Sequence, residues 1–365
     1  METILLKITA AILAASTTLS TSAAALEDRI IHTGSMAVTV IDYGLAGMNG
    51  DAVLLSSAGA NLLMDTGYWD ADSPGAAQPP VPVYDAYGNL LYEEPADPLP
   101  APVITWLKGH KVQQLDLYLS HWHNDHYYLL TAIMEDDSFK VGKIYLPEIS
   151  EERTYADPSH AGETWYNNLL WNIPGAEASH GPHSYSAIVE TAERKGVEIV
   201  WLDEGSQFEV GDARAEVLWH RKANFPYGQT VVPYLNDRSL VTMITCGGVR
   251  YLTCGDLHDE NERAILDAGV DVRADIFKAN HHAKDTSNCE EWLDAVAPSW
   301  ILSTRYKLDD GTDPTPEDSV EDRLRARGTF LSVRDLGTFT VHADDGVISA
   351  EGEGFTIGDN KPHVY

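Results

Sequence analysis

Cysteine is scarce in this chain, and so is positive charge. Three cysteines (Cys246, Cys254 and Cys289) among 365 residues exclude a disulfide-stapled scaffold, which needs an even set at regular spacing. Cys246 and Cys254 fall on two strands joined near Gly247-Gly248, which reads as a hairpin. In that register they do not face each other, so they read as small buried residues; a single bridge would leave one thiol over. Lys and Arg number 25 against 56 Asp and Glu, a net charge of −31. Affinity for nucleic-acid backbones comes mostly from Lys and Arg, so stable nucleic-acid binding is not expected. So acidic a chain suits salty or extracellular surroundings. No apolar run is long enough to span a membrane, and no internal repeat interrupts the sequence.

What is present begins with a hydrophobic fraction of 44%, ordinary for a globular core. The N-terminus reads as a secretory signal over residues 1–25. Lys7 gives a thin basic start, Ile8 to Ala15 a short apolar stretch, and Ala23 and Ala25 an A-x-A cleavage site. The competing reading is an amphipathic helix of a cytosolic protein, which Glu2 favours. The signal predicts a periplasmic or extracellular protein whose remaining residues, 26–365, form one domain of mixed α/β class.

The richest stretch is Ser120-His121-Trp122-His123-Asn124-Asp125-His126. It follows Leu115-Asp116-Leu117-Tyr118-Leu119, whose alternation reads as a buried strand. Imidazoles and a carboxylate packed into a loop at a strand end are natural ligands for zinc or a similar divalent ion. His121 and His123 are two apart and point the same way in extended chain. Asp125 and His126 fall where the chain turns, into a helix starting at Asp125, and can reach a second ion. Two ions about 3.5–4 Å apart can clamp the attacking and leaving oxygens of an ester.

More ligands lie downstream. Arg250 to Cys254 reads as a strand ending in Gly255-Asp256. Asp256 either bridges two cations or caps the helix that begins at Leu257. Ala274 to Asn280 reads as another strand and ends in His281-His282. His220, after the strand Ala213–Trp219, reads as a strand-end histidine.

Together these motifs resemble the metallo-β-lactamase superfamily. Its HxHxDH signature stands as His121-Trp122-His123-Asn124-Asp125-His126, and its Asp-Thr-Gly turn as Asp65-Thr66-Gly67. The likeness is greatest to the branch that holds competence-type DNA-uptake hydrolase domains and phosphorylcholine esterases. That branch is marked here by Gly50-Asp51-Ala52, Asn236-Asp237-Arg238-Ser239-Leu240-Val241, Cys254-Gly255-Asp256-Leu257 and Lys278-Ala279-Asn280-His281-His282. Cys254 replaces the usual Thr, and Ala283 the Gly that usually follows the histidine pair. The resemblance implies a four-layer αββα sandwich and two divalent ions, zinc first with manganese or iron as alternatives. It implies that His121 and His123 hold one ion, with His220 as an added candidate. Asp125, His126 and one of His281 and His282, with His282 preferred, hold the other, and Asp256 bridges. Asp125 would also orient water or take a proton, and His281 would steady the phosphate, with Lys278, Lys284 and Arg305 as nearby cations. The implied activity is a phosphodiesterase using a metal-activated hydroxide on a small-molecule or polymer phosphoester. A lactonase or β-lactamase-like ester or amide hydrolase, and a non-catalytic secreted metal-binding protein, are the alternatives.

Two insertions, near 68–100 and 150–195, carry many aromatics, among them Tyr68, Trp69, Tyr84, Tyr87, Tyr92, Trp165, Tyr166 and Trp171. They read either as packing of long loops or as a wall over the cleft, where aromatic faces could hold a quaternary ammonium group. Around them the pattern predicts two strands between Met36 and Asp65, helices at 101–109 and 184–195, strands at 199–201, 213–219 and 240–245, and a final hairpin at 338–350.

Overall fold

The computed structural model of the protein describes residues 34–42, 50–68, 81–84, 90–94, 101–148, 185–221, 235–305 and 318–360. Residues 1–25, expected as a signal, most of both insertions, and the aromatics Trp69, Tyr87, Trp165, Tyr166 and Trp171 lie outside them, as do the side chains of Tyr84 and Tyr92.

The first strands are β1 (Ser35–Val40), β2 (Val53–Ser57) and β3 (Ala60–Met64), then a separate hairpin, β4 (Val81–Tyr84) and β5 (Leu90–Glu94). Next come β6 (Gln114–Tyr118), β7 (Lys140–Pro147), β8 (Glu198–Leu202), β9 (Gln207–Val210) and β10 (Ala213–Trp219). The second half holds β11 (Val241–Cys246), β12 (Val249–Thr253), β13 (Ile276–Lys278), β14 (Trp300–Ser303) and β15 (Thr329–Ser332). It ends with β16 (Phe339–Asp344), β17 (Val347–Gly352) and β18 (Phe355–Asn360). The helices are α1 (Pro102–Gly109), α2 (Asn124–Tyr127), α3 (Leu130–Glu135), α4 (Tyr185–Lys195), α5 (Asp259–Asp267), α6 (Glu290–Val296), α7 (Asp318–Arg325) and α8 (Val333–Leu336).

The strands form a nine-stranded sheet, ordered β18-β17-β16-β1-β2-β3-β6-β7-β8, and a seven-stranded sheet, ordered β15-β14-β13-β12-β11-β10-β9. Three apolar cores make the layering explicit. Side chains alternate along each strand, so Leu54, Leu63, Leu117 and Ile144 face outward against Val103 and Leu107 of α1, Ile133 of α3, and Ile188 and Ala192 of α4. Val38, Val40, Leu55 and Leu62 face inward and meet Val217, Ile244, Tyr251 and Leu302 of the other sheet. Leu252, Phe277 and Ile301 turn away from that interface toward Ile265 of α5, Trp292 and Leu293 of α6, and Val320 and Leu324 of α7. Helix, sheet, sheet and helix are thus stacked in the expected αββα order.

Three local expectations change. The run Val53 to Met64 is two strands, not one, because Ala58 and Gly59 both take positive φ (46° and 83°) and close a two-residue hairpin; three strands therefore precede Asp65. The C-terminal hairpin gains a third strand, β18, paired antiparallel to β17. The helix anticipated from Asp125 is a single turn, α2, followed after a break by α3. Cys246 pairs in register with Val249 and Thr242 with Thr253, so Cys246 and Cys254 do not face each other, and all three thiols are free and buried.

The parallel strands β3 and β6 of one sheet, and β12, β13 and β14 of the other, end at one edge of the sandwich. The two sheets are stitched there. Leu240 N–H donates to the Ser120 carbonyl at 3.0 Å, and the Tyr118 and Thr242 hydroxyls pair at 2.8 Å.

Candidate metal centre

Each motif of the sequence delivers its side chains to this edge. Asp65 follows β3, Ser120 to His126 follow β6, Asp256 follows β12, His281 and His282 follow β13, and Asp51 precedes β2. Two groups of ligand atoms converge there, His121 with His123 and Asp256, and His126 with His282, Asp256 and Asp51.

In the first group, His121 Nε2 lies 3.0 Å from His123 Nδ1 and 3.9 Å from Asp256 Oδ2. In the second, Asp256 Oδ2 lies 3.2 Å from His126 Nε2 and 3.1 Å from His282 Nε2. Donor atoms sharing one tetrahedral ion, with bonds of ~2.0–2.1 Å, stand roughly 3.3 Å apart, and these separations bracket that value. Asp256 is common to both groups. Asp125 reaches the second, 3.9 Å from His126 Nε2 and 3.5 Å from His282 Nε2.

The remaining atoms of these rings are held from behind. His126 Nδ1 is 2.8 Å from Asp65 Oδ2, and His282 Nδ1 is 3.0 Å from Asp51 Oδ1. Both rings therefore present Nε2 to the cluster. Asp51 thus sits on the Nδ1 side of His282, where Thr304 Oγ1 donates to it at 2.6 Å and Lys278 Nζ lies at 2.5 Å, and there it orients the His282 ring. The sequence placed Asp51 in a motif without a role. It also placed Lys278 beside the substrate, whereas the side chain is fully buried and pairs with Asp51 and the Gly255 carbonyl. A buried ammonium is held charged by an ion pair of this kind, not left free for a ligand.

The backbone is shaped to bring the ligands in. Gly255 has φ +53°, and a Cβ there would stand 2.8 Å from Ser239 Oγ and 2.9 Å from Ser120 Oγ. Both hydroxyls are in use: Ser239 Oγ accepts from Asp256 N–H at 3.1 Å, and Ser120 Oγ donates to Asp65 at 2.7 Å. His281, His282 and Ala283 all have positive φ (49°, 52° and 62°). This tight left-handed turn carries both histidines to the cluster, at a cost of roughly 1–2 kcal/mol for each residue. It is clamped at its base. Buried Glu262 accepts from Asn280 Nδ2, Asn288 N–H and Cys289 N–H at 2.7, 2.6 and 2.8 Å, and Asn280 and Asn288 bond each other twice. Glu262 and Asn288 carry no motif signature; a buried glutamate in an amphipathic helix was the available hint.

The electrostatics divide the cluster. Burial drives His121 well below the usual imidazole range and His123 down to about 4. Burial opposes charge on His282 as well, but Asp256 and Asp51 outweigh it and raise that ring to about 10. His126 is raised likewise, by Asp256, Asp65 and Asp125 against burial. Burial works against ionised Asp256 too, yet His282, His126 and His281 hold it well below the carboxylate range. Asp125 is lowered, His126 and His282 prevailing over burial.

His281 stands at the rim. Its Nδ1 meets Thr286 Oγ1 at 2.6 Å, and its Nε2 faces Asp256 at 3.8 Å and Lys284 Nζ at 3.3 Å. Burial brings it down to about 3, so the ring is neutral at pH 7. Beside it are Asn236 and His258, the latter at a ring distance of 5.1 Å. His220 belongs to neither group of convergent ligand atoms; its Nδ1 pairs with Asp203 at 3.1 Å. Arg305 is buried next to Thr304. Tyr68, from the first insertion, packs against Tyr128 with ring centroids 4.5 Å apart.

Four sandwiched layers, with HxHxDH, Gly-Asp and His-His at the ends of successive parallel strands on one edge, decide the architecture. This is the metallo-β-lactamase fold. No family model matches the chain. In sequence, this metallo-β-lactamase-fold protein is similar to ComE operon protein 3 of Bacillus subtilis, at 24% identity over 160 residues, 42% of this chain and 19% of that one. It is also similar to competence protein ComA of Neisseria gonorrhoeae, at 28% over 102 residues, 28% of this chain and 14% of that one. The matched region therefore spans under a fifth of either relative. Among solved structures, the metallo-β-lactamase fold protein YhfI of Bacillus subtilis is similar at 12% identity and a TM-score of 0.42, covering 87% of this chain and all (100%) of YhfI.

Two observations show that the residues fit a pair of divalent ions. Buried His126 Nε2, His282 Nε2 and Asp256 Oδ1 have no hydrogen-bond partner among the described residues, although buried polar atoms are otherwise almost always satisfied. The donor set is also all imidazole and carboxylate, which zinc, manganese and iron accept.

Proposed function

We propose that the protein is a dinuclear metal-dependent hydrolase acting on a phosphodiester. The observation that carries this reading is the meeting of two histidine pairs on one carboxylate, with unpartnered buried nitrogens aimed inward. His121 and His123 would hold one ion, and His126, His282 and Asp125 the other, with Asp256 between. When bound, such ions make hydroxide available from water near neutral pH and neutralise charge growing on the ester oxygens.

The chain's own groups supply the rest. Asp125 is ionised and partly open to solvent, so it can orient the attacking water and accept its proton. His281 and Lys284 stand side by side at the rim and favour an anionic substrate over a neutral one, which supports a phosphodiester over a lactone. The likeness to competence proteins supports the same class, and the acidic surface favours a small or polymer-borne phosphoester over a long nucleic acid. A quaternary ammonium on that substrate would suit the aromatic insertions. The signal-like N-terminus supports a secreted protein; none of the described helices is long and apolar enough to cross a membrane.

The test is turnover by the full chain reconstituted with zinc, manganese or iron, on bis-p-nitrophenyl phosphate, nitrocefin and a simple lactone. The phosphodiester is the expected substrate. Turnover of nitrocefin or the lactone alone would replace the reading with that chemistry, and metal uptake without turnover of any would leave a binding protein.

A further inference from the structure

We propose that the two ion positions are unequal. The position built from His126, His282, Asp125 and Asp256 fills first and holds its ion more tightly than the position built from His121 and His123. The inference rests on the dinuclear reading and adds to it an order of loading and a residue, Asp51, that sets it.

The geometry behind the rings differs between the two positions. A ligating imidazole that donates its other N–H to a carboxylate is fixed in tautomer and orientation and is a stronger ligand. Both histidines of the favoured position have such a partner, Asp65 for His126 at 2.8 Å and Asp51 for His282 at 3.0 Å. Among the described residues, neither histidine of the other position does. The partner of His121 Nδ1 there is a hydroxyl, Ser120 Oγ at 3.0 Å. His123 turns Nδ1 toward His121, and its buried Nε2 has no hydrogen-bond partner among the described residues.

The count of nearby negative charge points the same way. Asp125 and Asp256 lie within 3.9 Å of the Nε2 atoms of His126 and His282, and Asp51 and Asp65 stand directly behind. Among the described residues, Asp256 is the one carboxylate within 4 Å of His121, at 3.9 Å, and none lies that close to His123. Asp256 itself leans toward the favoured side, 3.1–3.2 Å from its nitrogens.

Lys278 makes the arrangement sustainable. A carboxylate as buried as Asp51 needs a counter-charge to stay ionised, and the Lys278 ammonium supplies it at 2.5 Å. Lys278 and Asp51 are therefore positioning residues that act through His282.

Calorimetric titration of the metal-stripped full chain with zinc, backed by chelator competition, tests the inference. The expected result is one tight and one weaker event. Asp51→Asn should weaken the tight event 10–100-fold, the usual effect of losing such a partner, and leave the weaker one in place. His121→Ala should remove the weaker event alone. Because D51N strands the Lys278 charge, D51N/K278M is measured alongside; it removes the ion pair as a unit and should show the same selective weakening. Two events of equal affinity, a D51N/K278M protein that binds as the parent does, or loss of the tight event in H121A would overturn the inference while leaving a dinuclear hydrolase. A chain that takes up no zinc would overturn the hydrolase reading as well.

Discussion

Replacing Gly255 with alanine probes how tightly the centre is built. The residue holds φ +53°, and the added methyl would stand 2.8 Å from Ser239 Oγ, 2.9 Å from Ser120 Oγ and 3.0 Å from Ser120 Cβ. The left-handed backbone costs alanine ~1–2 kcal/mol, the stiffer unfolded chain returns ~0.4–1 kcal/mol, and a methyl forced into packed space costs ~1–3 kcal/mol. The net loss is about 1–4.5 kcal/mol of folding stability. Neither serine can swing aside freely. Ser120 Oγ is committed to Asp65, which steers His126, and Ser239 Oγ holds the Asp256 backbone N–H. Relief of the clash must therefore move ligands of both ions. Urea unfolding of the metal-stripped G255A protein should show a lower midpoint at unchanged slope, and zinc titration should show both binding events weakened. A stability loss under about 0.5 kcal/mol together with parental zinc uptake would refute this account of the Gly-Asp turn.

Three other outcomes follow from the geometry. Ala283 holds φ +62° where glycine is at ease, so Ala283→Gly should stabilise the protein by up to roughly 1.5 kcal/mol, read as a rise in the urea midpoint. Asp256→Ala should disable zinc binding and turnover far more than His220→Ala, since one carboxylate serves both groups; equal losses in metal analysis would contradict the ligand assignment. In the metal-free chain His282 is raised to about 10, so it carries a proton at pH 7, and His126 is raised as well. Metal loading must expel the His282 proton. Apparent zinc affinity should fall as pH falls, with proton release visible in buffers of different ionisation enthalpy. Without metal the sign reverses: the stability that His282 contributes is complete below its ordinary 6.5 and is lost as pH climbs through about 10.

Much of the centre was legible in the sequence because its chemistry is concentrated. His121, His123, Asp125 and His126 are near neighbours in the chain, and Asp256 and His281-His282 each sit at the end of a readable strand. Individual strands were legible because apolar residues repeat with the period of a strand, whereas the αββα layering was implied by the family resemblance alone. What escaped was whatever depends on long-range meeting. Lys278, Asp51 and Asp65 all stand in readable motifs, but what they do shows only when Asp51, far upstream, is found against Lys278 and Asp65 behind His126. Glu262 and Asn288 are ordinary polar residues in sequence, and only their buried partners reveal that they hold the His281-His282 turn in place. The division at Ala58–Gly59 escaped for a smaller reason, since alanine rarely adopts the left-handed conformation it takes there.

The hydrogen bond from Thr304 to Asp51 joins residues 253 positions apart. Asp51 leaves the ribosome early and must wait for nearly all of the remaining protein before its neighbours exist. Contacts so distant in sequence form slowly, so the full support behind His282 arrives only with the folded chain. If the centre takes up metal as proposed, its finished form would do so in the compartment where folding ends, and the metal supply there would set which ions it carries.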